Sequence, residues 1–165
     1  MNKNIVPNRD FKVLLEKEGK DFISIYIPTH SKGEEVNEGT DILQYKNMLK
    51  NVENRLKENG QSEKNIQKYL YNAYQLIEDK DFWHRQLESL AIFIGKNVFE
   101  KYKLPVRTEL LFHVGPNFYI KPLIPLFNEN GQFYMLTLSK EMVKLFYCSR
   151  FSLREIELKD VAPVT

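Results

Sequence analysis

The alternation of apolar and polar positions divides the chain into a mixed series of strands and helices. Residues 22–27 (FISIYI) form an unbroken run of β-branched and aromatic side chains closed by Pro28, the pattern of a central strand buried on both faces. A polar loop over 29–39 follows. Thr40 or Asp41 then supplies an N-cap for a helix running to about Glu58. Ile42, Tyr45, Leu49, Val52 and Leu56 recur at intervals of three and four, which places them in one helical stripe. Gly60 suits the position just past the helix end, where positive φ costs glycine little. Ser62 caps a second helix predicted to about Asp79, with Ile66, Leu70, Ala73 and Ile77 as its buried stripe and Tyr69 and Leu76 beside it. So short a connection between two amphipathic helices predicts an antiparallel helical hairpin lying on a sheet.

Past Asp81 the period changes from helical to alternating. Residues 89–95 (SLAIFIG), 98–104, 109–114 and 118–120 read as short strands, punctuated by Gly95, Pro105 and Gly115-Pro116. A polar turn at Asn128-Glu129-Asn130-Gly131 marks a second shift, and 133–139, 142–149 and 153–159 then read as a three-stranded meander. Two arrangements fit that meander: it completes the first sheet, or it opens a second domain. A lone meander leaves an apolar face uncovered, which favours the start of a second domain cut short at Thr165. The expected architecture is therefore α+β. It comprises a mainly antiparallel sheet covered by a helical hairpin over 1–128, and the first strands of a truncated middle domain over 129–165.

Composition narrows the classes of function. A net charge of +2, from 24 basic and 22 acidic residues, argues against capture of nucleic acid or an anionic membrane by the chain as a whole and leaves only local patches. The lone Cys148 has no disulfide partner and no C-x-x-C companion for zinc. A reducing, cytoplasmic setting is expected. The first ten residues are polar and Asn-rich, unlike a signal peptide, and no apolar run approaches the ~20 residues that span a bilayer.

Catalytic motifs are missing from the chain. The Gly33-x5-Gly39-Thr40 segment is one residue too long for a phosphate loop, lacks its lysine, and carries Glu34, Glu35 and Glu38. His30, His84 and His113 fall in no metal-ligand spacing, and no carboxylate–histidine pairing is evident, so neither metal nor cofactor is expected. Cys148 lies in a regular strand beside Phe146 and Tyr147, as a packing residue does. The surface signals are aromatic and basic. Tyr71 and Tyr74 lie off the core stripe of the second helix near Lys64 and Lys68, as a face for RNA or for a missing part of the protein; Lys32 and Lys46 flank the loop and first helix. Lys96, Lys101, Lys103 and Arg107, interleaved with Phe99 and Tyr102, form a second basic strip, which favours RNA only if it occupies a loop-bounded edge strand. Trp83 is placed at the seam between hairpin and sheet, and Thr29, His30, His84 and Arg85 form a candidate polar notch near it.

In order and spacing, residues 22–28 (FISIYIP), the helical pair, 89–95 and 109–118 (ELLFHVGPNF) resemble the N-terminal domain of archaeal and eukaryotic class-1 peptide-chain release factors. Residues 133–139 and 143–158 resemble the opening strands of their middle domain. Pro28-Thr29-His30, Phe82-Trp83, Lys121-Pro122-Leu123 and FYMLTLS with Val143-Lys144-Leu145-Phe146 are most similar to the family-three bacterial relatives of those factors. The resemblance runs from about Asp21 to Leu158 and implies a three-domain protein acting at or near the ribosome. It also implies codon reading by the first domain and a Gly-Gly-Gln hydrolytic loop in the middle one. Departures limit what carries over. The Asn-Ile-Lys-Ser motif is absent, no Gly-Gly-Gln occurs, and at the Tyr-x-Cys-x-x-x-Phe positions stand Phe112, which lacks the tyrosine hydroxyl, Val114, which lacks the thiol, and Phe118, the one residue kept. The expectation is a non-enzymatic recognition or docking domain for ribosome or RNA, not a stop-codon reader. A scaffold packing on its own middle domain, and a small-molecule or hydrolytic domain with a pocket near His30, His84 and Arg85, stand as rivals.

Overall fold

The structure, a computed structural model, describes residues 8–31, 39–128, 133–139, 142–149 and 152–157. The chain divides into two compact units, Met1–Pro122 and Leu123–Thr165. In the first, α1 (Asn8–Leu15) leads into β1 (Glu18–Pro28), α2 (Thr40–Glu58), α3 (Glu63–Tyr69), α4 (Tyr71–Ile77) and α5 (Lys80–Trp83). Three strands follow: β2 (Ser89–Gly95), β3 (Val98–Leu104) and β4 (Leu111–Asn117). They join β1 in a four-stranded antiparallel sheet of order β3-β2-β1-β4, so β1 is central and β3 is an edge.

The alternation of β1 sorts the two faces. Ile23, Ile25 and Ile27 pair with Ile94, Ile92 and Leu90 of β2, and together with Tyr45, Leu49, Val52, Leu56, Ile66, Leu70 and Trp83 they make the buried core under the helices. Ser24 and Tyr26 point the other way, beside Phe93 and Ala91, and are equally buried. There the chain beyond β4 folds back: the Tyr119 amide donates to Ser24 Oγ at 2.9 Å, and the Tyr26 hydroxyl donates to the Tyr119 carbonyl at 2.8 Å. Phe118 fills the space between with ring centroids 4.5 Å from Phe22 and 5.3 Å from Phe93. Residues 118–120 are therefore no separate strand, contrary to the sequence pattern, because these groups close the second face of the sheet instead of extending it.

The helices also depart from the sequence reading in instructive ways. Gly39, with φ 70, occupies the N-cap position of α2 and no side chain caps it. Asp41 instead turns its carboxylate to His30. Ser62 does cap α3, accepting from the Asn65 amide, and Gly60 has φ 83 as its place past α2 requires. The predicted single helix over 62–79 is broken at Leu70 (φ −94, ψ 7), and Ile66, Leu70, Ala73 and Leu76 are all buried across the break. Trp83 sits at the seam as expected, its indole donating to the Leu76 carbonyl at 2.7 Å and its ring 5.3 Å from Tyr45. The short helices α1 and α5 left no periodic signal in the sequence.

In the second unit a 3-10 turn (Lys121–Leu123) crosses the boundary into α6 (Ile124–Asn128), followed by β5 (Phe133–Leu138), β6 (Val143–Ser149) and β7 (Ser152–Ile156) in a three-stranded antiparallel meander. Lys144 and Glu155 pair across it at 3.3 Å. Every residue of β5 is exposed, Tyr134 by 66% and Leu138 by 72%. No helix among the described residues is long and apolar enough to cross a membrane.

Candidate functional site

A cleft of about 870 Å³ opens where the start of β1, the end of α3, the start of α4 and the β2–β3 turn meet. Its wall begins with Lys20 and Asp21. Asp21 holds φ at 62, a conformation that Asp and Asn tolerate better than other side chains, and the β1–β4 register shifts across it. Three groups fix it there. Its carboxylate accepts from Asn59 Nδ2 at 2.9 Å and Gln61 Nε2 at 2.8 Å, and its carbonyl accepts from the Tyr69 hydroxyl at 2.9 Å. Burial, and then the Asp21 charge, push the Tyr69 phenol up to about 12. On the opposite side Asn97, with φ 61, shapes the β2–β3 turn that carries Lys96.

The charge in this cleft is one-sided. Lys20, Lys68 and Lys96 line it, along with the amides of Asn65, Asn72 and Asn97 and the rings of Tyr69 and Phe99. Its single carboxylate, Asp21, is already held by two neutral amides. Among the described residues none of the three lysines is in an ion pair. Such a concavity presents ammonium groups, amide donors and aromatic edges together, groups able to hold an anion.

A second basic group stands on β3. Lys101 and Lys103 place their ammonium nitrogens 4.5 and 4.8 Å from the centroid of the Phe82 ring. Lys103 also donates to the Arg85 carbonyl. Burial lowers the Lys103 pKa, the nearby Arg85 and Lys101 charges lower it further, and Asp79 opposes them.

At the other end of β1, His30 and Asp41 form a pair that the sequence reading missed. His30 Nδ1 lies 2.7 Å from Asp41 Oδ1, and the His30 amide donates to Oδ2 at 2.9 Å. Asp41 is 4% exposed. The two are eleven positions apart and share no recognisable spacing, so only the fold reveals them. The expected absence of any carboxylate–histidine pairing is thus corrected.

The remaining sequence candidates scatter. Thr29 is buried and donates to the Leu87 carbonyl at 2.8 Å, while His84 and Arg85 are exposed; no hydrogen bond or ion pair joins either to Thr29 or His30. Tyr71 is 60% exposed, but Tyr74 is half-buried and donates to Glu53, and burial, then that bond, raise its pKa. Lys64 and Lys46 are exposed on α3 and α2; only Lys68 of that set enters the cleft. Lys32 lies outside the described residues. Phe112 and Val114 pack against the core under the helices, while Phe118 is buried on the opposite face of the sheet. His113 is exposed on the face opposite Phe112 and Val114. Among the described residues no three His, Cys, Asp or Glu side chains stand close enough to share a metal ion. Lys20 and Asp21 gave no signal beforehand, because nothing in a Lys-Asp pair before a strand announces a positive φ.

No protein-family profile matches the chain, and no curated protein matches it. The chain is similar to a solved structure of an archaeal protein, at a TM-score of 0.48 and 14% identity over 90% of its length, and it spans 42% of that protein.

Proposed function

We propose that this chain is a recognition or docking domain of a release-factor-like, ribosome-associated protein, and that the cleft formed by Lys20, Lys68 and Lys96 binds RNA through its phosphates. The observation that carries the reading is the convergence of these three lysines, unpaired among the described residues, on one concave surface whose lining carboxylate, Asp21, is otherwise engaged. A net charge of +2 then concentrates the attraction at one place instead of spreading it over the molecule. Stop-codon reading is not part of the proposal. Phe112 and Val114 pack against one face of the sheet and Phe118 against the other, so the three do not form one reading surface.

Binding of purified ribosomes and of short RNAs by the chain at about 50 mM salt, where phosphate contacts are strongest, tests the reading. Saturable binding that weakens in a Lys20→Ala/Lys68→Ala/Lys96→Ala variant supports it; binding of equal strength by the variant sinks it.

The scaffold reading has one observation in its favour. Tyr134, Leu136 and Leu138 of β5 are exposed on one face of the strand, a row of apolar side chains that a further part of a longer protein would cover. Hydrogen exchange of β5 in a longer protein containing this chain separates the two. Strong protection there, with no RNA binding by the chain, favours the scaffold.

A further inference from the structure

We infer that the helix-facing side of β3 extends the cleft into a track for a single-stranded segment of RNA, in which Lys101 and Lys103 hold the phosphates next to a nucleotide seated in the cleft. The inference rests on the reading that the cleft binds RNA and adds the form of the RNA and its course.

Register sets the direction. Phe99, Lys101 and Lys103 pair with Ile94, Ile92 and Leu90, so all three project from the face that the helices cover, and Phe99 is itself in the cleft wall. Alternate residues of a strand recur every ~6.6 Å, close to the phosphate repeat of an extended single strand. From Phe99 to Lys103 the edge strand therefore spans about 13 Å, room for two phosphates beyond the cleft. As the outermost strand of the sheet, β3 is open along its side.

Neighbouring elements complete the track. Asn72 near the start of α4 lines the cleft, and Asp79, two residues past the end of α4, acts on Lys103 at the far end of the track. Phe82 holds both ammonium groups against its ring, yet neither lysine has a carboxylate partner among the described residues. The Asp79 side chain is engaged in capping the Phe82 amide at 3.0 Å, and Glu100 projects from the opposite face of β3. Burial, and then the Arg85 and Lys101 charges, disfavour the charged form of Lys103, and a phosphodiester bound beside it would oppose both effects. A single strand suits the dimensions better than a duplex. The cleft falls within the ~300–1,000 Å³ of sites that enclose one small ligand, and only an unpaired nucleotide would enter it.

Fluorescence anisotropy with a labelled single-stranded oligouridylate, and with a duplex RNA of equal length, tests this on the 165-residue chain. Each phosphate contact to a single strand contributes ~0.7 to the salt slope, so Lys101→Gln/Lys103→Gln should lower it by about 1.4. Between about 50 and 200 mM salt the wild-type affinity should then fall about sevenfold more than that of the variant. Lys101→Arg/Lys103→Arg, which keeps the charge, should retain the wild-type slope and shows that the sites tolerate change. An unchanged slope in the glutamine variant, with binding still lost on removal of Lys20, Lys68 and Lys96, overturns the track and leaves the cleft reading standing. Duplex binding equal to or tighter than single-strand binding also overturns it. Failure of the wild type to bind either RNA removes both.

Discussion

Asp21 is the residue on which the geometry of the cleft turns, and its replacement separates hydrogen bonding from backbone strain. In Asp21→Ala the Asn59 and Gln61 amides lose a charged acceptor, and alanine must hold the positive φ. Hydrogen bonds to charged groups contribute about 1.5–3 kcal/mol each, and the lower end applies because both released amides regain water. Two such bonds amount to about 3 kcal/mol, and the left-handed conformation adds about 1 kcal/mol for alanine. The expected loss is therefore roughly 4 kcal/mol. Asp21→Gly forfeits the same bonds without the strain, about 3 kcal/mol, while Asp21→Asn tolerates the conformation and keeps one acceptor oxygen, losing one bond and the charge on the other, about 2 kcal/mol. Urea unfolding followed by circular dichroism gives all three values. The order Asn, Gly, Ala from mildest to most severe is the prediction; an alanine variant as stable as the glycine variant would show that φ 62 carries no strain here.

A Cβ at Gly95 would run into the Phe22 ring, so Gly95→Ala should destabilise by about 1–3 kcal/mol and be partly rescued by Phe22→Leu in a double-mutant cycle; purely additive effects would contradict the clash. Burial raises the Tyr26, Tyr45, Tyr69 and Tyr74 phenols, so the folded state releases these protons at higher pH than the unfolded chain. That stabilisation is complete below pH ~10 and declines as pH rises toward the Tyr69 value of about 12, so phenolate absorbance should appear together with unfolding, and ionisation of all the tyrosines in an intact fold would refute it. His30→Ala leaves the buried Asp41 carboxylate without its imidazole and should cost about 2 kcal/mol, with a smaller further loss on adding Asp41→Asn; equal losses in the two backgrounds would mean the pair is not coupled.

The parts of the fold legible in the sequence are those written in local periodicity. The unbroken β-branched and aromatic run of β1 announces a strand buried on both faces, and the 3-4 spacing of Tyr45, Leu49, Val52 and Leu56 announces α2, because burial of one helical face leaves its period on the chain. Gly60 and Ser62 mark a turn and a cap through chemistry confined to a few residues. What stayed hidden depends on contacts distant in sequence. Leu70 looks like any other member of a helical stripe until the helix breaks there, and Phe118 continues an alternating pattern until it turns under the sheet. The basic strip was visible as composition, but its meaning depended on whether β3 lies at an edge, which strand order alone decides. Lys20 lines the cleft with Lys68 and Lys96 beside the positive φ and register shift at Asp21, which no local pattern announces.

The most direct test of the account is the salt dependence of RNA affinity for the wild type and for Lys20→Ala/Lys68→Ala/Lys96→Ala. Three phosphate contacts at ~0.7 each predict that the variant's slope is shallower by about 2, so that the wild type loses about 18-fold more affinity between 50 and 200 mM salt. Parallel slopes, or a wild type that binds no RNA at about 50 mM salt, would contradict it.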